Sequence, residues 1–176
     1  MPMTPREIEK ALKGMVILVD TREQDTLRLR TRLKQMGCPY ERCKLDFGDY
    51  SAKFPIGGEW LTLNAAVERK MDFSELAQCF CNGRARFARE FDRAKAAYAK
   101  IYLLVENQTW EDAYAGNYRS QMKPQAFVAS LLAWLARYRC QVIFCNQRTS
   151  GRLIHDILYR EGREMLEGMM LSECET

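Results

Sequence analysis

Two short, continuously apolar runs, Met15 to Val19 and Ile101 to Val105, constrain the fold of this chain most. Neither is long enough for an amphipathic helix, and neither alternates like a half-exposed strand. Each is therefore expected to be a strand buried on both faces. Such strands need helices packed on either side of their sheet, and the residues between supply them. Thr4-Pro5-Arg6-Glu7 carries a cap, a proline for the first helical position and a capping-box glutamate, so a helix is expected to run to about Gly14. Leu27, Leu29, Leu33 and Met36 predict a second helix from about Asp25, stopped by Gly37. Phe73 to Phe80 predicts a third, interrupted at Asn82-Gly83. Beyond it, Phe87, Phe91, Ala94 and Tyr98 fall on one helical face. Further helices are expected from Pro124, carrying Phe127, Leu131, Leu132 and Leu135, and over Gly151 to Met170.

Strands are expected at Tyr40 to Leu45 and Val142 to Cys145. Asp49 to Phe54 and Trp60 to Arg69 read as a hairpin around Pro55-Ile56-Gly57-Gly58. This alternation, with antiparallel pairing in the middle, gives an α/β fold: a mixed sheet flanked by helices on both faces. No repeat or linker divides the 176 residues, so one domain is expected, with residues 171–176 a frayed, acidic tail.

Hydrophobic residues at 47% and charged residues at 28% exclude a disordered chain. No apolar run approaches the ~20 residues that span a bilayer. With no charged-then-apolar leader, a cytoplasmic protein is expected. The seven cysteines do not follow zinc-ligand spacing, and there is a single histidine, so reduced thiols serving as small core residues are expected. His155 itself is expected at a partly buried or surface helix position. The net charge of +4 is compatible with a nucleic-acid partner without demanding one.

Val67-Glu68-Arg69-Lys70 ends one predicted strand, and residues two apart on a strand share a face, so Glu68 and Lys70 are expected side by side. Asp49 stands at the start of the hairpin partner and Asp20 at the end of the first buried strand, with Arg22 and Glu23 just beyond. Carboxylates at three strand ends beside a lysine suit a divalent cation set against a phosphodiester. Lys70 would then orient or deprotonate a water, or steady developing charge. The same residues also suit a plain salt-bridge network among Asp20, Arg22, Glu68, Arg69 and Lys70.

Val-Asp-Thr-Arg-Glu (19–23), Gly-Asp-Tyr (48–50), Val-Glu-Arg-Lys (67–70) and Asn82-Gly83-Arg84 with Phe87 together resemble the nuclease domain of the XPF/Mus81 family, structure-specific endonucleases of the restriction-endonuclease-like PD-(D/E)XK superfamily. The motif core covers about 16–106, with residues 107–170 completing the domain as in compact bacterial and phage members. The resemblance implies a nuclease dependent on magnesium or manganese, with Asp20, Asp49 and Glu68 as metal ligands and Arg69 and Lys70 catalytic or in contact with phosphate. It makes Glu23 an acidic support. Asp72 and Glu75 compete for the acidic position after the triplet, Glu75 being expected on a helix surface. Branched or flapped DNA is the implied substrate, and a homodimer or partner subunit the implied assembly. Relatives carry a tandem helix-hairpin-helix module after this domain. These 176 residues contain none, so DNA affinity is expected from the nuclease domain, a dimer or a partner. The alternatives are a non-catalytic DNA-binding or dimerisation subunit of the same fold, and a nuclease acting on ordinary duplex.

Arg84, Arg86, Arg89 and Arg93 are expected either to track a phosphate backbone, extended by Arg119 and Lys123, or to form a solvated helix face. Trp110, Tyr114 and Tyr118 are expected to pack under a loop rather than stack on bases. Apolar residues beyond core needs on the last two helices would serve a homodimer.

Overall fold

The computed structural model describes residues 3–172, with side chains to residue 169. The described residues form seven helices and seven strands. Helix α1 (Pro5–Lys13) begins with the expected capping box, Thr4 accepting from Glu7 N–H while the Glu7 carboxylate reaches back to Thr4. Strand β1 (Val16–Asp20) follows, then α2 (Leu27–Met36), capped by Thr26 and ended by left-handed Gly37. Next come β2 (Tyr40–Cys43), β3 (Tyr50–Ile56), β4 (Glu59–Thr62) and β5 (Ala65–Lys70). Helices α3 (Phe73–Phe80) and α4 (Arg84–Ala96) lead to β6 (Lys100–Glu106), α5 (Trp110–Ala115), α6 (Pro124–Tyr138), β7 (Gln141–Cys145) and α7 (Ser150–Ser172).

The sheet runs β2-β1-β3-β5-β6-β7, with β4 hanging on β3. Its β3 strand is antiparallel to β1 and β5, and the other neighbours on the main path are parallel. This direction pattern gathers the C-terminal ends of β1, β5 and β6 and the N-terminal end of β3 at one end of the sheet. Alternation along β6 divides the core. Tyr102 and Leu104 join a cluster with α1, α2 and α7, while Ile101, Leu103 and Val105 join one with α3, α4 and α6. The second cluster is built from aromatic rings: Phe87 stacks on Trp134, 4.9 Å between centroids at 14°, and Phe73 meets Phe127 edge-on.

Several expectations give way. The strand expected over Trp60 to Arg69 is two strands. Leu63 N–H still bonds Ala52, but the Asn64 side chain caps the α4–β6 turn through the carbonyls of Ala97 and Tyr98, which redirects the chain. Tyr98 lies beyond α4 and is 93% exposed rather than on its apolar face. Helix α5 was not expected at all. Trp110 and Tyr118 pack on Phe144 and Phe127, whereas Tyr114 is exposed. Residues 171 and 172 continue α7, and the remainder of the expected frayed tail lies outside the described residues. His155 is part of the α7 surface, bonded to Asp156 and stacked on Tyr159. The cysteines of the described residues are free thiols, and burial pushes Cys140 up to about 11.

Candidate functional site

Position at the sheet end is set by backbone first. Asp20 N–H bonds the Asp49 carbonyl, and Asp49 N–H bonds the Val67 carbonyl, tying the ends of β1, β3 and β5 together. Gly48 makes the approach possible. It adopts φ +72°, and a Cβ there would sit 2.6 Å from Ala66 Cβ, so Gly-Asp-Tyr needs its glycine. Asp49 precedes β3, half-buried, and its Oδ2 accepts the Arg69 N–H at 2.8 Å.

Within β5, Glu68 and Lys70 project to the α3–α4 side and Arg69 to the other. Lys70 Nζ donates to Glu68 Oε1 at 2.6 Å and lies over the Phe87 ring, 5.1 Å from its centroid. Both are buried, Glu68 at 3% and Lys70 at 8% exposure. Burial favours the neutral amine, but the charges of Glu68 and Asp49 outweigh it and push Lys70 above the usual lysine range. The side chain is therefore an ammonium at neutral pH. Glu68 is pushed up by burial against the pull of Lys70, and Asp49 well up by burial and then by the Glu68 charge.

Glu68 Oε2 is buried and has no hydrogen-bond partner. An orphaned carboxylate oxygen beside a second carboxylate, both held above their usual range, is the donor set that a hard divalent cation would satisfy. The fit is for a cation that keeps most of its waters. Among the described residues no group of three or more His, Cys, Asp or Glu side chains is arranged to hold a metal. Magnesium is commonly held by one or two carboxylates together with water and substrate phosphate, so two suffice.

The expected trio is thus divided. Asp20 is fully buried on the same side of the sheet, but its oxygens are occupied. Oδ1 accepts from Arg22 N–H and Nε at 2.7 Å each, and Oδ2 from Arg22 Nη2 and the Leu45 N–H. Those bonds outweigh burial and hold its carboxyl below the usual range. Arg22 continues to Glu90 on α4 at 3.1 Å. Asp20 and Arg22 therefore brace the loop leading to Asp49.

Other expected residues are also placed. Asp72 caps α3 through Glu75 N–H, so its carboxylate is spent on the helix. Glu75, expected on a helix surface, is half-buried and its Oε1 stands 3.8 Å from Lys70 Nζ. Glu23 accepts from the Tyr50 hydroxyl at 3.1 Å. Arg69 donates to Glu106 at 3.1 Å, on the face opposite Lys70. Arg84, Arg86, Arg89, Arg93, Arg119 and Lys123 are all exposed. Of these, Arg93 bonds the Asp46 carbonyl and Arg84 lies over Trp134, and none of the six has an ion-pair partner among the described residues.

Sequence reasoning missed three buried charges: Arg32, Glu90 and Glu106. Glu106 carried one signal, an acidic residue ending an apolar run as Asp20 does.

The described residues contain no helix long and apolar enough to cross a membrane. No curated protein matches the chain. Among solved structures, XPF from Aeropyrum pernix is similar with a TM-score of 0.61 at 19% identity, over 86% of this chain and 67% of that one. XPF from Aeropyrum pernix in complex with DNA is similar with a TM-score of 0.59 at 20% identity, over 85% and 66% respectively. This chain thus spans about two thirds of the length of either. The family profile described as the ERCC4 domain matches residues 19–157. That match covers most of the chain, and the protein belongs to the ERCC4 domain family.

Proposed function

We propose that this chain is a divalent-metal-dependent endonuclease that nicks branched or flapped DNA. The observation that carries the reading is the buried Glu68 Oε2 without a hydrogen-bond partner, on a carboxylate whose Oε1 holds Lys70 and whose charge acts on Asp49. Asp49 and Glu68 would hold a magnesium or manganese ion. Such an ion, when bound, activates water at neutral pH and offsets charge on the phosphoryl oxygens. Lys70, held on Glu68 and over the Phe87 ring, would donate to a phosphoryl or leaving oxygen. Asp20 and Arg69 act by positioning, the first through Arg22 and Leu45, the second through Glu106. Arg86 and Arg89 offer phosphate contacts beside the centre, with Arg119 and Lys123 further along. The similar structure bound to DNA supports nucleic acid as the partner. The apolar, exposed Leu132 on α6 is where a second copy or a partner subunit would pack. Residues 1–176 act on this reading as one nuclease domain.

The test is cleavage of flap, fork, junction and plain duplex DNA, with and without magnesium or manganese. Asp49→Ala and Glu68→Ala serve as comparisons, with folding followed by circular dichroism. The expected result is ion-dependent nicking of branched substrates that both substitutions abolish while the fold persists. Robust cutting by Glu68→Ala would overturn the site. Equal cutting of all four substrates would leave a nuclease for ordinary duplex.

A further inference from the structure

Where β6 and β7 end, the chain leaves the sheet in opposite directions. The two strands are parallel, yet α5 after β6 packs with the cluster of α3, α4 and α6, whereas α7 after β7 packs with that of α1 and α2. Such a switch point opens a crevice beyond the carboxyl ends of the strands, and ligands of open α/β sheets settle there. Here it is a polar cleft of about 610 Å³ that reaches from Arg28 on α2 to Arg119 in the loop before α6. Side chains tie its loops together. Asn107 N–H donates to the Cys145 carbonyl and Asn107 Oδ1 accepts the Gln147 N–H, which joins the loops that leave β6 and β7. Gln108 Oε1 accepts the Phe73 N–H, and Ser74 Oγ accepts the Arg119 N–H.

These bonds leave the cleft rich in donors. A backbone N–H can only donate, so the side-chain oxygens of Asn107 and Gln108 are both engaged and their amide nitrogens carry the N–H groups that remain. Neither nitrogen has a partner among the described residues. Arg28 and Arg119 add two guanidinium groups, both exposed and without a carboxylate partner among the described residues. Asp72, the one carboxylate on the wall, caps α3 through the Glu75 N–H. Two cations and two unfilled amide donors lining one space, against a single carboxylate, suit a ligand that is anionic and made of acceptors. A phosphodiester backbone is both.

We propose that this crevice receives a short run of the phosphate backbone of bound DNA, on Arg28, Arg119 and the amide nitrogens of Asn107 and Gln108. The inference rests on the nuclease reading for DNA as the ligand. The crevice is an anchor and not a second cleavage centre, because no pair of carboxylates lines it and Glu68 and Lys70 lie outside it. The phosphates it holds therefore belong to DNA flanking the scissile bond. Contacts of this kind fix the register and orientation of a substrate without reading its sequence.

The experiment measures binding of the intact protein to fork DNA in EDTA, with single neutral methylphosphonate linkages walked along each strand. Gln108→Glu keeps the oxygen that the Phe73 N–H needs and puts a repelling oxygen where the free donor was. It should weaken binding to unmodified DNA at least about fivefold. At one or two neighbouring linkages, wild-type protein should lose about tenfold in affinity, and Gln108→Glu should be insensitive there. Asn107→Asp makes the same exchange one residue earlier and should behave alike, with circular dichroism following both folds. Gln141→Glu makes the same change of charge at the far end of β7 and should stay within about twofold of wild type. A walk that both variants share with wild type at every linkage would overturn the crevice. So would equal losses from Gln108→Glu and Gln141→Glu, or binding of inorganic phosphate in calorimetry with no linkage that the variants desensitise. Nicking by wild-type protein in magnesium is scored separately. Unaltered walks with intact nicking reject the crevice and spare the nuclease, and the reverse pattern rejects the nuclease alone.

Discussion

Asp49 and Glu68 stand close enough for each negative charge to disfavour the other, in surroundings that already disfavour both. The cost falls on the metal-free protein. A carboxyl held above its unfolded value keeps a proton that the unfolded chain releases, so its contribution to stability is lost as pH rises from about 4 through the folded value. Asp49→Asn keeps an oxygen for the Arg69 N–H and removes the charge. It should stabilise the metal-free protein at pH 7 by about 1–2 kcal/mol, with the gain vanishing near pH 4. Thermal melts in EDTA at the two pH values check this, and an unchanged or lower melting temperature at pH 7 would contradict it. The Glu68–Lys70 contact was legible because strand parity depends only on sequence spacing. Arg32, Glu90 and Glu106 were not, because an arginine or glutamate on a helix or strand end looks solvated until its partner arrives. Glu106 meets Arg32 and Arg69, and Glu90 meets Arg22, all across long stretches of sequence.

Secondary-structure elements fix the site through close backbone approach. Helix α7 crosses β3 at Gly162, where a Cβ would sit 2.1 Å from Phe54 Cζ, and Phe54 is fully buried with no room to withdraw. Alanine is the better helix former by about 1 kcal/mol, yet forcing it against a packed ring costs about 1–3 kcal/mol. Gly162→Ala should therefore lower the denaturation midpoint. Gly168→Ala, where nothing lies within 4 Å, should raise it slightly. Equal effects in urea titrations would contradict the close packing of α7 on β3. Long periodic helices were plain in the sequence, and short elements were not. Helix α5 is one and a half turns, announced only by the Thr109–Asp112 capping box and left-handed Gly116. The break between β4 and β5 depends on Asn64 reaching the turn after α4, a contact no local pattern encodes.

Across the whole molecule, a sheet that is parallel except for β3 along its main path brings the ends of β1, β3, β5 and β6 together, and the proposed cleavage centre sits there. Glu68, Lys70 and Asp49 belong to the side covered by α3 and α4, while Arg32 and Glu106 belong to the side of α2. Convergence of the acidic segments was readable from motif order and the apolar runs. The bonding of Asp20 was not, since its oxygens are taken up by Arg22, two residues along its own chain, and by the Leu45 N–H. The most direct measurement is manganese titration followed by the EPR signal of the free ion, using wild-type protein, Asp49→Asn and Glu68→Gln. The expected result is a site in the wild type whose affinity falls at least about tenfold in either variant. Binding that is undiminished in Glu68→Gln would contradict the account.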